Sequence, residues 1–422
     1  MKQTILVWLA AALVLLAGCS ASALDEAEID LQKEPAAQEQ AGQMGLEPGA
    51  QWESSPQKEY RAVWVSYLEW QHFDFSGAEA FREGVSQMAQ NCANLGINTV
   101  IAQVRPFGDA LYPSKLFPWS HLCTGTQGQD PGFDPLAILV EVCHSQGLEV
   151  EAWINPYRVQ SAQGVPQLGE GSLQQTHPEL VRQTSQGLYL DPASAQAQEL
   201  IAQGVEEVLA AYPVDGIHFD DYFYPTTETE FDSQQYTESG TQLSLEDWRR
   251  QNVNNLVQLV YQRIKAQWPQ VRLGISPQGN MDNNYNTQYS DVALWMAQPG
   301  YVDYILPQIY WGFDYQTQTG DTQFGFEQML ERWAGMRRCD EVALYVGLGA
   351  YRVGEGDGGS NPTALTQWRT GTNLAQMVEH LRQAGLDGYG LYRYDSLFAN
   401  TLWPDLTAQE QQALAKVNQQ AG

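Results

Sequence analysis

Along the chain, apolar runs of strand length alternate with longer stretches whose apolar residues recur every three or four positions. Eight strand candidates follow one another: RAVWVSYLEW (61–70), INTVIAQVRP (97–106), LEVEAWINPY (148–157), VDGIHFDDYF (214–223), VRLGISPQGN (271–280), YVDYILPQIYW (301–311), EVALYVGLGAY (341–351) and LDGYGLYRYD (386–395). The helical patterns between them include FREGVSQMAQNCANLG from Phe81, DPLAILVEVCHSQG from Asp134 and NVNNLVQLVYQRIKAQW from Asn252. Gly96, Gly147 and Gly385 stand where helices should stop, ahead of strands two, three and eight. Strand then helix, eight times over, predicts the α/β class and a (β/α)8 TIM barrel. A doubly wound open sheet is the alternative. It usually brings fewer strands and a glycine-rich phosphate loop, and no GxGxxG follows the first strand here.

The long connections, 105–133, 158–191, 224–243, 279–290, 312–325 and 352–372, all follow strands. They should therefore extend the C-terminal face, where barrel chemistry is placed. The ends of the chain read differently. Residues 1–18 hold Lys2, an apolar stretch from Ile5 to Ala17, and then Leu16-Ala17-Gly18 directly before Cys19. This run resembles a bacterial lipobox, which predicts removal of the leader and lipidation of Cys19; an ordinary cleaved signal peptide is the other reading. Residues 19–58 are rich in Ala, Gln and Glu, too polar to offset chain entropy by burial, and read as a flexible tether. That leaves 59–405 for the barrel and 406–422 for a C-terminal helix or tail. The expected location is the outer side of a cell membrane, held there by the lipid.

Side chains alternate across a strand, and the outer face of a barrel strand meets helices and should be apolar. In strand four, Ile217 and Phe219 fit that outer face, so His218 and Asp220 should point inward. Asp221 then lies at the rim. Neighbouring strand ends add Arg105, Trp153, Asn155, Tyr157, Tyr222, Gln308, Tyr310, Trp311 and Tyr394. Polar groups converging inside a barrel need partners or a ligand. Structural hydrogen bonding accounts for some of them, while aromatic faces beside carboxylates suit a sugar cleft.

Composition narrows the field. Lys and Arg number 22 against 50 Asp and Glu, for a formal charge of −28, which disfavours nucleic acid as a partner. Thirteen Trp and 21 Tyr supply flat faces for sugar rings. After Cys19 the cysteines are scattered at 92, 123, 143 and 339, with no CxxC pair, so no metal and no cofactor is expected.

RAVWVSYLEW, INTVIAQVRP, EAWINPYR, DGIHFDDYFYP, GISPQGN, PQIYW and GLYRYDSL, in this order, resemble the glycosyl-hydrolase-like 10 domain. The resemblance runs through most of 59–400 and implies a bacterial envelope enzyme, often a lipoprotein, that hydrolyses cell-wall (peptidoglycan-like) glycan or a related polysaccharide. The fourth strand is also similar to the DGxDxDxEYP strand of family 18 chitinases. Asp215, Gly216 and Asp220 match it, but His218 replaces its first inward Asp and Tyr222 stands where its catalytic Glu would be. That acid is therefore missing, and Asp220 and Asp221 become the candidate catalytic carboxylates. Hydrolysis usually needs a second carboxyl across the scissile bond. Glu69, Asp109, Asp314 and Asp395, each just beyond a strand, are its candidates. A non-catalytic sugar-binding lipoprotein on a degenerate barrel is the competing reading.

Overall fold

The computed structural model describes residues 59–420; the leader, the tether and Cys19 lie outside the described residues. Eight strands form where the apolar runs predict them: β1 (Tyr60–Val65), β2 (Thr99–Arg105), β3 (Glu149–Ile154), β4 (Gly216–Phe219) and β5 (Arg272–Ile275). β6 comes in two pieces (Tyr304–Ile305 and Gln308–Ile309), as does β7 (Ala343–Leu344 and Val346–Gly349), and β8 is Gly388–Tyr392. All neighbours are parallel, and β8 pairs with both β7 and β1. Pro307 interrupts β6 because it has no N–H to give the ladder. Even so, Tyr345 N donates to Ile305 O (3.0 Å) and Gly347 N to Pro307 O (2.8 Å), so the two halves of β7 follow the two halves of β6. The sheet closes on itself as an eight-stranded barrel, as expected.

Each strand is followed by a helix: α1 (Ala78–Leu95), α2 (Pro135–Ser145), α3 (Ala195–Ala211), α4 (Leu245–Gln267), α5 (Val292–Ala297), α6 (Phe326–Ala334), α7 (Asn373–Gln383) and α8 (Pro404–Gln420). Local chemistry fixes their ends. Asp134 caps α2 by accepting from Ala137 N at 3.0 Å, with Pro135 in the first turn where its missing N–H costs nothing. Gly96 ends α1 in the left-handed region (φ 80°). α8 packs on α1 and α7. The buried Glu410 carboxylate of α8 accepts from Asn373 N (2.8 Å) and Leu374 N (3.2 Å), capping α7 from a neighbouring helix.

Two apolar clusters divide the molecule. The larger lies between strands and helices and holds Val63, Val65, Val100, Ala152, Ile154, Ile217 and Phe219. The smaller fills the barrel with Tyr60, Trp64, Ile101, Trp153, Tyr304, Leu306 and Tyr345. Rings this large fit only because facing positions are empty. A Cβ on Gly274 would lie 1.8 Å from the Tyr304 ring, and one on Gly390 2.8 Å from the Trp64 ring. At the barrel floor, the Glu151 carboxylate accepts from Arg272 Nε and the Tyr60 hydroxyl, each at 3.1 Å, and also from the Tyr304 hydroxyl.

Gly274→Ala is therefore expected to lower unfolding free energy by about 3 kcal/mol or more, since Tyr304 has no room to yield. Gly77→Ala, with nothing within 4 Å of the added carbon, should change it by less than about 1 kcal/mol. Urea unfolding monitored by tryptophan fluorescence separates the two outcomes.

Candidate active site

The register of β3 against β4 sets Trp153 opposite His218 and Ile154 opposite Phe219. Trp153 and His218 therefore face inward together, and Asn155 and Asp220 continue that face at the mouth. His218 is fully buried. Its Nε2 accepts from Trp64 Nε1 (3.3 Å), which leaves the ring proton on Nδ1, 2.8 Å from the Tyr304 hydroxyl; Ser276 Oγ lies 3.0 Å from Nε2. Burial drives the His218 pKa down to about 3, so the ring is neutral at ordinary pH. It belongs to the barrel filling and ties the floor to the mouth.

Asp220 sits directly above, 2% exposed. Its Oδ2 accepts from Trp153 Nε1 and Asn155 Nδ2, both at 3.1 Å, and its Oδ1 from Tyr222 N at 3.2 Å. Burial, then the charge of Asp221, push its pKa up to about 7, while Arg158 and the donors pull the other way. With both Oδ2 lone pairs engaged, a proton on this carboxyl resides on Oδ1. Asp221 is also buried and turns towards strands five and six, where Gln308 Nε2 donates to its Oδ1 at 3.0 Å. Burial raises its pKa too, opposed by hydrogen bonds from Gln278 and Gln308. The two carboxyls thus occupy different walls of one mouth, and burial raises the pKa of each, with the Asp221 charge raising that of Asp220 further.

Arg158, just past β3, shares this mouth and was not singled out from the sequence. Its Nε donates to Pro106 O at 3.1 Å, and its guanidinium lies 4.6 Å from the Phe107 ring and 5.3 Å from that of Tyr222. Tyr310 stacks on Tyr392 at 5.5 Å on the far side, and Trp311 is half-buried against Phe324 and Tyr315. These rings give the mouth its aromatic walls.

Other expected positions are elsewhere. A bulge in β2 sets Arg105, two residues after Gln103, opposite Ile154, only one residue after Trp153. The extra residue reverses the parity, so Arg105 points out into the helix layer, 4.2 Å over the Phe117 ring and close against Gly204 of α3. Tyr157 follows a bend after β3 has ended, and is fully buried in the outer cluster. Tyr394 begins a short helix after β8; its hydroxyl accepts from Asn91 of α1 at 2.7 Å, also outside the barrel. Alternation stops with the strand, and both residues lie past that point.

The candidates for the second carboxylate are mostly occupied. Glu69 makes a capping box with Ser66, accepting from its N (2.8 Å) and Oγ (2.6 Å), and forms an ion pair with Arg393. The S-x-x-E spacing was a visible sign of that structural role. Asp109 is buried between His121 and Gln127, each 3.3 Å away. Asp395 pairs with His72 at 2.7 Å, and Asp314 is exposed on a loop. None of these four touches Asp220, which leaves Asp221 as its neighbour in the mouth.

Solved structures share this fold. The glycoside hydrolase domain of PgaB (BpsB) from Bordetella bronchiseptica aligns with 83% of this chain and 98% of its own at a TM-score of 0.53 and 16% identity. Alpha-L-fucosidase isoenzyme 2 from Paenibacillus thiaminolyticus aligns with 85% of this chain and 49% of its own, at 0.52 and 15%. Sequence relatives are nearer. Glycosyl hydrolase YngK of Bacillus subtilis (strain 168) is 36% identical over 320 residues, 70% of this chain and 61% of that protein. The chain thus spans less than two thirds of the length of YngK. Glycosyl hydrolase DigH of Escherichia coli (strain K12) is 34% identical over 347 residues, 74% of this chain and 77% of that protein. Residues 59–363 match the glycosyl hydrolase-like 10 family, which takes in β1 to β7 and every mouth residue described except Tyr392. On that match and these relatives, the chain belongs to the glycosyl hydrolase-like 10 family.

Proposed function

We propose that the protein is a glycoside hydrolase that cuts cell-wall, peptidoglycan-like glycan strands or a related polysaccharide, with Asp220 and Asp221 as its catalytic carboxyls. The observation that carries this reading is Asp220 itself: a buried carboxyl at a barrel mouth, firmly held on Oδ2, with a pKa displaced to about 7. A carboxyl that keeps its proton near neutrality can hand it to a glycosidic oxygen. Asp221, whose Oδ1 accepts from Gln308 Nε2 at 3.0 Å, supports the developing positive charge or activates water. Tyr222, Tyr310 and Trp311 offer ring faces to the sugar, with Asn155 and Trp153 orienting the acid. The relatives' names, glycosyl hydrolase, favour an enzyme over a binder. A carbohydrate is accordingly the partner.

Asp220→Asn keeps the shape and removes the proton donor. Turnover of purified glycan strands, followed by mass analysis of products, should fall by at least about 10²–10⁴-fold, with binding retained. Activity near that of the parent would sink the assignment. In the parent, turnover should decline as pH rises through about 7, because Asp220 then loses the proton it must donate.

The same displacement has a consequence that needs no substrate. The Asp220 pKa is raised from 3.8 to about 7 on folding, so between those values the folded state holds a proton that the unfolded chain has released. Stability attributable to this group therefore falls as pH rises across that window. The melting temperature of Asp220→Asn, compared with the parent, should gain steadily from pH 4 to pH 8. A difference independent of pH would contradict the raised pKa.

We also propose that Cys19 carries a lipid that anchors the barrel on the outer side of the membrane, reached through the tether of 19–58. The support is the Leu16-Ala17-Gly18-Cys19 run after an apolar leader. Cys19→Ala should move the protein from the membrane fraction to the soluble fraction and abolish labelling by a fatty-acid analogue.

A further inference from the structure

Asp221 is steered from behind the mouth. Gln308 Nε2 donates to its Oδ1 at 3.0 Å, and Gln278 gives it a second hydrogen bond. Gln278, beyond the end of β5, and Gln308, in the second piece of β6, stand opposite each other in parallel register. A glutamine amide can present either end, and its carbonyl end turned to a carboxylate would repel it. Gln308 is set by its own strand neighbour, because its Nε2 also donates to Ser276 O at 3.1 Å. At Gln278 the choice falls to Asn283. Asn283 Nδ2 donates to Gln278 Oε1 at 3.2 Å, so the carbonyl faces Asn283 and the N–H end is left for Asp221. Asn283 lies on a short helix, Met281–Asn286, whose first turn is capped by the Asn280 side chain accepting from Asp282 N at 3.0 Å. The next residue, Asn284, straps the Gln278 backbone: its Oδ1 accepts from Gln278 N at 3.0 Å and its Nδ2 donates to Gln278 O at 2.8 Å. Trp333 of α6 donates from Nε1 to Gly279 O at 2.9 Å, and a Cβ on Gly279 would lie 2.7 Å from the Trp311 ring, which pins the segment further. The Gln278 backbone is thus held without Asn283, whose bond goes to the side-chain amide.

We propose that Asn283 is a positioning residue for hydrolysis: through the Gln278 amide it aims an N–H at Asp221, fixing the direction and favouring the charge of the carboxyl that works opposite Asp220. This rests on the hydrolase reading above and goes beyond it in assigning a residue that acts on Asp221 at one remove. Burial raises the Asp221 pKa, and the hydrogen bonds from Gln278 and then Gln308 are the largest effects opposing it. The charged groups that face Asp221 are Asp220, one residue before it, and Arg158, which lies 4.6 Å from the Phe107 ring, 5.3 Å from that of Tyr222 and 5.7 Å from that of Tyr67. Arg158 acts on both carboxyls, whereas the Gln278 bond goes to Asp221. Turning that amide away therefore weakens one carboxylate and leaves the shared counter-charge in place.

Asn283→Leu keeps the size and removes the donor. On purified glycan strands its kcat should fall about tenfold, the worth of one hydrogen bond to a charged group, with KM within about twofold of the parent's. The acid limb of its kcat/KM profile should move to higher pH, because a carboxyl short of a donor holds its proton longer. Gln278→Leu should do the same. The double variant should be no worse than Gln278→Leu alone, since Asn283 then has nothing left to orient. Melting temperatures check that each variant is folded, and Asn283→Ala makes the same test should the leucine unsettle the loop. Additive losses, or an acid limb that stays where it is, would overturn the proposal. If the parent cleaves no glycan, the hydrolase reading fails by itself. NMR titration of the Asp221 carboxyl carbon, identified as the signal missing from Asp221→Asn, then decides the hold of Asn283 on Asp221 without substrate. A titration at higher pH in Asn283→Leu than in the parent upholds it, and identical titrations refute it.

Discussion

The site depends on what fills the barrel axis. Eight strands leave an interior that side chains must occupy completely. Here a polar column runs from the Glu151–Arg272 pair, through the Tyr60 and Tyr304 hydroxyls and the His218 ring, to the Trp64 indole. Each member satisfies the next, and a partly satisfied buried network would be worse than an apolar one. Glycine at Gly274 and Gly390 gives the rings their room. This filling fixes which face of β4 looks inward, because His218 can complete its hydrogen bonds only from that side. Asp220, two residues on, inherits the direction.

The neighbourhood of Asp220 balances opposed effects. Trp153, Asn155 and the Tyr222 amide donate to it, and donors alone would hold a carboxyl ionised. Burial and the Asp221 charge work against them and prevail. The donors therefore act chiefly as a clamp on orientation. A clamp on Oδ2 leaves Oδ1 to carry the proton, so the same contacts that position the group also choose which oxygen is protonated.

How far this was legible in the sequence follows from where alternation holds. Inside regular strands it placed Trp153, His218 and Asp220 correctly, and helix stops such as Gly96 were readable from composition. Arg105 was misplaced because a bulge adds one residue, and nothing in TVIAQVR marks it. Tyr157 and Tyr394 were misplaced because the parity was carried past the strand ends. Glu69, expected among the second carboxylates, caps the turn after β1 instead, and its S-x-x-E spacing from Ser66 is the signal that could have shown it. Arg158 escaped notice because its role comes from three rings supplied by separate loops and strands, a convergence that only the closed barrel creates.

The position of Tyr222 draws these points together. In the chitinase-like pattern that place belongs to the acid, beyond the strand and reaching into the cleft. Here the ring at that place lies against the Arg158 guanidinium, and the carboxyl with the raised pKa is two residues earlier and deeper. On the proposed reading the exchange is coherent. A shorter acid lower in the barrel requires the sugar to descend towards Trp153, whose indole holds Asp220. With Tyr222 in place of the glutamate, the acid of that reading moves from the rim to a level fixed by Trp153 and Asn155.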